Sequence, residues 1–456
     1  MRIIDGKDWQ PEGTVLAWLP TAEMTAARDA APVDPTPASF LQADHVRAVL
    51  AQRARGVPHR AFTCSVATLP GVPDRDRLTA AVNAFVASHE GLRSSLTVEG
   101  DAPDGPIRRR TVDARDVDLT PVPVEGPLLD LVSTTAVFDH VPAMTVATVA
   151  RDDGRAFDLF FALDHSAGDG ISQMTGLLEL MARYSGQDVP GLTADDHSGF
   201  PGYVREELER AATVDENSPG VRAWRGLFEV TGGKVPGFPL PIGIEDGEPQ
   251  PVVGIGGEGV LAGAGTVGKL RELAREHGTG FSSVVYAALG LAQKRLTGAT
   301  EYATIVVSAT RGREYRFSQG WFCNFSPLYF PVRGDTVGEV LEDVKVAQAR
   351  MKETLLEPVH ASLGYLIMQG AVDPSVMTSP QMVTYLDLGW FEEPEGSDIR
   401  LFAGFGKTSN ANLWVFRNPD GLGIGSQAPD NPVARGSLDT FFSVLGEVLS
   451  DSVAGA

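Results

Sequence analysis

Leu159-Phe160-Phe161-Ala162-Leu163-Asp164-His165-Ser166-Ala167-Gly168-Asp169-Gly170 is the stretch on which the reading of this 456-residue chain turns. Its first five residues are uniformly apolar and read as a strand. That strand delivers His165 to its end. Small residues then turn the chain into a helix predicted from about Ile171 to Tyr184. A neutral imidazole is the natural base for taking a proton from a hydroxyl or amine near pH 7. Asp169, four residues on, cannot lie beside His165 along an extended strand; it folds back to pin the turn or reaches an arginine from elsewhere. Gly168 and Gly170 permit backbone conformations closed to other residues. The amides that open the following helix, Gly170 N–H first, can face an anionic intermediate. A histidine beside an aspartate at a strand end is also the pattern of a hydrogen-bonded turn, and residue chemistry alone leaves both readings open.

Working outward, the first half reads as α/β. Helical spacing covers 39–55 and 74–89, and strands are predicted at 61–69, 145–149 and 156–163, the last two joined by Asp152-Asp153-Gly154. The segment 231–257 is dense in Gly and Pro and has no helical period. The second half alternates again, with helices at 266–277, 282–296, 336–355 and 432–453. Its strands are predicted at 302–308, 325–332, 381–387, 399–402 and 412–416. The expected division is an N-terminal lobe over 1–215 that carries His165, a linker over 216–257, and a C-terminal lobe over 258–456.

Composition removes whole classes of function. Lys and Arg number 38 against 59 Asp and Glu, a formal charge of −21, so a phosphate backbone is repelled and nucleic acid is not an expected partner. Two cysteines, Cys64 and Cys323, are too few for a disulfide scaffold or a zinc site. No basic-then-apolar leader opens the chain, and no apolar run reaches the roughly 18 residues of a membrane span. A soluble, cytoplasmic protein is expected. There is no Gly-Lys-Ser/Thr phosphate loop, no dinucleotide-binding glycine spacing and no Gly-X-Ser-X-Gly elbow. The other histidines (45, 59, 89, 140, 197, 277 and 360) show no metal-ligand spacing, are expected mostly at the surface or at helix ends, and imply no metal.

The His165–Gly170 pattern, behind an apolar strand and ahead of a helix, resembles the active-site motif of nonribosomal peptide synthetase condensation domains. That superfamily includes chloramphenicol acetyltransferase and the polyketide-associated acyltransferases. Further matches follow in the family's order. His89-Glu90-Gly91-Leu92-Arg93 resembles its His-Glu-x-Leu-Arg. Gly312-Arg313, then Gly320-Trp321-Phe322-Cys323-Asn324 and Pro327-Leu328, resemble its Gly-Arg, Gly-x-Phe-x-Asn and Pro-Leu. Val15–Pro20 and Asp430–Ala434 look like the actinobacterial polyketide-associated acyltransferases in particular. Together these matches span nearly the whole chain. One departure stands out: condensation domains usually carry two consecutive histidines, and here the first is Asp164. That speaks for ester rather than amide formation.

The resemblance implies an α/β fold of two chloramphenicol acetyltransferase-like lobes in a V, with an interlobe tunnel and His165 near its middle. It implies a free-standing acyltransferase of natural-product biosynthesis with no bound cofactor. The acyl or aminoacyl donor would be carried on phosphopantetheine by an acyl or peptidyl carrier protein, and the acceptor would be a small molecule. The alternatives are a coenzyme A-dependent O-acyltransferase acting on a sugar or lipid, and a silent docking domain. His165 is expected to be catalytic, Asp169 structural and arginine-paired, and Gly170 the oxyanion donor. Trp321 and Asn324 are expected to line the tunnel. Arg108, Arg109, Arg110, Arg311 and Arg313 are the basic residues available to meet an acidic carrier protein.

Overall fold

A computed structural model gives the architecture and describes residues 1–100, 105–244, 250–374, 380–404 and 406–454. Among these, two seven-stranded sheets carry the fold, with a smaller three-stranded sheet at the side. The first sheet orders its strands as Arg2–Ile3, Asp398–Ala403, Phe62–Pro70, Ala156–Asp164, Met144–Ala150, Thr14–Pro20 and Leu119–Pro123. The second runs Cys323–Pro331, Glu301–Ala309, Met382–Asp387, Asn412–Asn418, Gly421–Pro429, Gln250–Gly263 and Lys407–Thr408. No helix among the described residues is long and apolar enough to cross a membrane.

The strand that carries the motif is central in the first sheet, and its apolar residues are covered on both faces. Phe157, Leu159, Phe161 and Leu163 face one core, and Phe160 and Ala162 face another. Helix Gly170–Ser185 lies against it so closely that a Cβ at Gly176 would meet the Phe161 ring at 2.5 Å. The ends of the helix are set by chemistry: the Asp169 side chain caps the first turn, and Gly186 ends it at φ 71°. Helix Phe40–Ala54 opens on a capping box between Ser39 and Gln42.

Two details bear on the expected division. Within 216–257, helix Pro219–Val230 packs its Val221, Trp224 and Leu227 into a core with Val359 and Leu366, and strand Gln250–Gly263 begins there. One strand of the second half also joins the first sheet. Strand Asp398–Ala403 pairs antiparallel with Phe62–Pro70 inside the first sheet, and its Ile399 and Leu401 join that sheet's core.

Candidate active site

His165 leaves the end of its strand with its backbone N–H on Ala61 O at 3.2 Å, while Asp164 N–H bonds to Ala143 O at 3.0 Å. The chain then turns tightly, Ala167 N–H returning to Asp164 O at 2.9 Å. Within this turn the His165 Nδ1–H donates to Gly168 O at 3.1 Å. A carbonyl can only accept, so the proton sits on Nδ1 and the Nε2 lone pair is left for chemistry. The imidazole is partly exposed and stacks on Trp321, with ring centroids 4.3 Å apart. Burial lowers its pKa below the ordinary histidine value of 6.5, and His45 lowers it further, against the pull of Asp164 and Asp169. The ring is therefore neutral at pH 7, as a base must be.

Asp169 points away from this imidazole and binds the turn to the second sheet. Its carboxylate accepts from Ser172 N at 2.7 Å and Phe322 N at 3.0 Å, and from Arg311 Nη2 at 3.0 and 3.2 Å. Arg311 also donates to Ser172 Oγ at 2.9 Å and lies over the Phe322 ring. One buried ion pair thus joins the motif of the first half to the segment 311–322 of the second. Gly91 lets the other family motif approach that same segment, since a Cβ there would meet Gln319 O at 2.6 Å. The glycines of the turn itself serve space rather than unusual backbone angles. A Cβ on Gly168 would meet Leu163 Cδ1 at 2.7 Å, whereas a Cβ on Gly170 would enter open space at the mouth of the helix. Gly170 is the first residue of that helix, where N–H groups have no intrahelical partner.

Three sequence expectations are corrected. Asn324 is buried, and its amide is spent on the backbone: Nδ2 donates to Leu355 O and Glu357 O, and Oδ1 accepts from Phe325 N and Val359 N. It clasps a loop and offers a substrate nothing. Arg109 is 1% exposed and donates to Gln42 Oε1 and Pro37 O, and the Arg311 side chain is 5% exposed on Asp169. Neither can serve as a docking surface. Arg108 is exposed but paired with Glu99, Arg110 reaches Ala31 O, and Arg313 is exposed.

The histidines set aside as surface residues prove to be the larger omission. His45 Nε2 lies 3.0 and 3.1 Å from the Asp164 oxygens, and His59 Nε2 lies 3.0 Å from Oδ2; all three residues are buried. A second trio joins His89, Glu179 and His197, with His89 Nε2 to Glu179 Oε2 at 2.9 Å and the two imidazoles stacked 4.1 Å apart. In each trio the donor atoms fall within 4.8 Å of one another, and no ligand spacing in the sequence signals it. The 2.9–3.1 Å separations are those of hydrogen bonds.

No protein-family model matches the chain. The acyltransferase PapA3 of Mycobacterium tuberculosis is 26% identical, over 97% of this chain and 94% of its own length. The 2'-acyl-2-O-sulfo-trehalose (hydroxy)phthioceranyltransferase PapA1 of the same species is 24% identical, over 97% and 87%. Among solved structures, the PapA2 acyl transferase superposes with a TM-score of 0.88 at 19% identity, covering 99% of this chain and all of its own. The first condensation domain of the CDA synthetase superposes at 0.65 with 20% identity, over 91% and 96%. Fold and sequence relatives together lead to one conclusion: the chain is an acyltransferase with the fold that PapA2 shares with the condensation domains.

Proposed function

We propose that this acyltransferase moves an acyl group from a thioester to a hydroxyl, forming an ester, with His165 as general base. The observation that carries the reading is the state of His165: neutral, with Nδ1–H held by Gly168 O and the ring reachable from solvent. Nε2 takes the proton of the acceptor hydroxyl as its oxygen attacks the thioester carbonyl. The tetrahedral oxyanion is met by Gly170 N–H. Collapse breaks the C–S bond, and the leaving thiolate takes the proton back from the imidazolium, releasing ester and free thiol. A positioned base contributes about 10²–10⁴ in rate, and holding both reactants in one channel supplies further advantage by proximity. The balance requires no cofactor, and Asp169 serves the architecture.

The proposed channel lies between an N-terminal lobe (1–215) and a C-terminal lobe (258–456) arranged as a V, with Trp321 on its wall. The reach of Arg311 and Trp321 from the second half to the motif of the first supports that arrangement. A carbohydrate or lipid hydroxyl is the acceptor class, because one relative is named as a trehalose-2-sulfate acyltransferase and another as acting on an acylated sulfo-trehalose. The donor rides on phosphopantetheine, in coenzyme A or on a carrier protein, in a cytoplasmic setting. Arg109 and Arg311 are buried, which leaves Arg108, Arg110 and Arg313 of the expected carrier-docking residues, and both donors are to be tested.

The test is thiol release with palmitoyl-coenzyme A, a palmitoyl carrier protein and a short pantetheine thioester, each with trehalose and trehalose 2-sulfate. Acceptor-dependent thiol release and an acylated sugar by mass spectrometry are expected. A protein that turns over none of these thioesters would match the silent docking domain instead.

A further inference from the structure

We propose that His45 and His59 are positioning residues of this enzyme, acting on His165 through the buried carboxylate of Asp164. The inference rests on the reading of His165 as the base and goes beyond it, because neither imidazole touches the reacting atoms. Three observations converge on it.

The first is where Asp164 spends its oxygens. It is fully buried, and Oδ1 accepts from Ser166 N at 2.9 Å and from the Ser166 hydroxyl, while His45 and His59 bring their Nε2 atoms to within 3.0 Å of Oδ2. Asp164 therefore shapes the turn 164–168, and that turn carries Gly168 O, the acceptor that fixes the tautomer of His165. Gln42 reinforces the turn by donating to Ser166 O at 2.8 Å. The path is continuous: two imidazoles hold a carboxylate, the carboxylate holds a serine, and the turn so shaped holds the base.

The second is cost. A carboxylate without solvent must be paired and hydrogen-bonded or it will take up a proton. Burial alone would raise the Asp164 carboxyl, yet His45 and His59 hold it well below the usual carboxylate range. It stays an anion beside the base. The third is His59 itself, which is buried and makes no aligned hydrogen bond through either ring nitrogen. The polar neighbour it faces is the Asp164 carboxylate, with Nε2 3.0 Å from Oδ2, while its ring packs edge-on against His45 and Phe62.

The titratable groups facing His165 are Asp164 on its own strand, His45 from helix Phe40–Ala54, and Asp169 at the cap of the next helix, itself paired with Arg311. His59 faces Asp164 from the segment ahead of strand Phe62–Pro70. These signs give a signature that a merely structural role would not produce. Asp164→Asn removes the anion that raises the His165 pKa, so the acid limb of the pH–rate profile moves to lower pH. His45→Gln removes a group that lowers it, so that limb moves to higher pH.

The experiment uses the full chain with selectively ¹⁵N-labelled histidine, so the tautomer and titration of His165 are read without substrate, with His165→Ala assigning the signal. Wild type should show Nδ1–H, Asp164→Asn and His45→Gln should displace the titration in opposite directions, and His59→Gln should disturb the tautomer. Turnover should fall by about 10–100-fold in kcat with KM little changed, the range seen for outer partners of a functional ring. If the histidine variants do not fold, Ser166→Ala cuts the same path with a smaller change and should still lower kcat. Unmoved titrations with unchanged kcat would overturn the proposal, and so would stoichiometric zinc in the protein as purified. Full turnover by His165→Ala would instead remove the base itself, which separates that failure from this one.

Discussion

Two histidine–carboxylate trios lie along the same stretch of chain and do different work. The first surrounds Asp164, just ahead of helix Gly170–Ser185; the second surrounds Glu179, midway along it. Both carboxylates are 0% exposed, and both are held down against burial by two imidazoles. The difference is what lies next to them. Glu179 also takes the Arg183 guanidinium at 2.7 Å, and His89 is sealed between Glu179 and the backbone N–H of Gln319. Among the described residues no guanidinium pairs with Asp164, and the residue that follows it is the half-open His165. The same groups make a closed joint when a permanent cation completes them, and, on the proposed reading, a support for the base when the adjoining imidazole keeps an open face.

The largest expected effect separates the two directly. His165→Ala should lower kcat/KM by about 10²–10⁴ with an unchanged melting temperature. His89→Ala should do the reverse, destabilising the chain while the folded fraction turns over normally. A His89→Ala protein that is stable but inactive would break the comparison. Next comes Glu179→Ala, which strands Arg183 in a buried site and should cost about 3–5 kcal/mol in denaturant unfolding; a loss near zero would mean the joint holds nothing together.

The pH dependence of stability sharpens the same point. Burial favours the protonated acid, but His89, His197 and Arg183 pull Glu179 from its ordinary 4.5 to about 2. A depressed folded pKa gives stability that is present above 4.5 and lost as pH falls toward 2. His89, lowered from 6.5 by burial, adds a loss of stability that sets in as pH falls below that value. Melting scans should show both losses, and Glu179→Gln should reduce the more acidic one, the rest of it belonging to carboxylates such as Asp164. The smallest effect is expected at Trp321, where Ala removes the stack on His165. Such a pair is worth about 0.5–1.5 kcal/mol, a few-fold in kcat/KM.

What could be read in the sequence was local. The motif strand, the turn and the helix behind it follow from residues within one short window. From the residues Asp169 could either pin its own turn or reach an arginine; it does both, and the arginine was beyond reading because Arg311 approaches from 142 positions away. His45, His59 and Asp164 share no periodic spacing and meet only once helix Phe40–Ala54 docks on the sheet. Strand Gly421–Pro429 escaped for another reason. Its glycines argue against a strand, yet the Phe416 ring lies so close to Gly423 that a side chain there would collide with it.

Strand Asp398–Ala403 has a consequence for how this molecule holds itself together. It crosses from the second half to sit between Arg2–Ile3 and Phe62–Pro70, and its Arg400 reaches both Thr68 and Asp158. A fragment ending anywhere before it would present the bare hydrogen-bonding rim of Phe62–Pro70 to other chains, an invitation to aggregate. The first sheet is therefore whole only once residues 398–403 have been made, and a cut between the halves should leave the first fragment prone to aggregate rather than a working module.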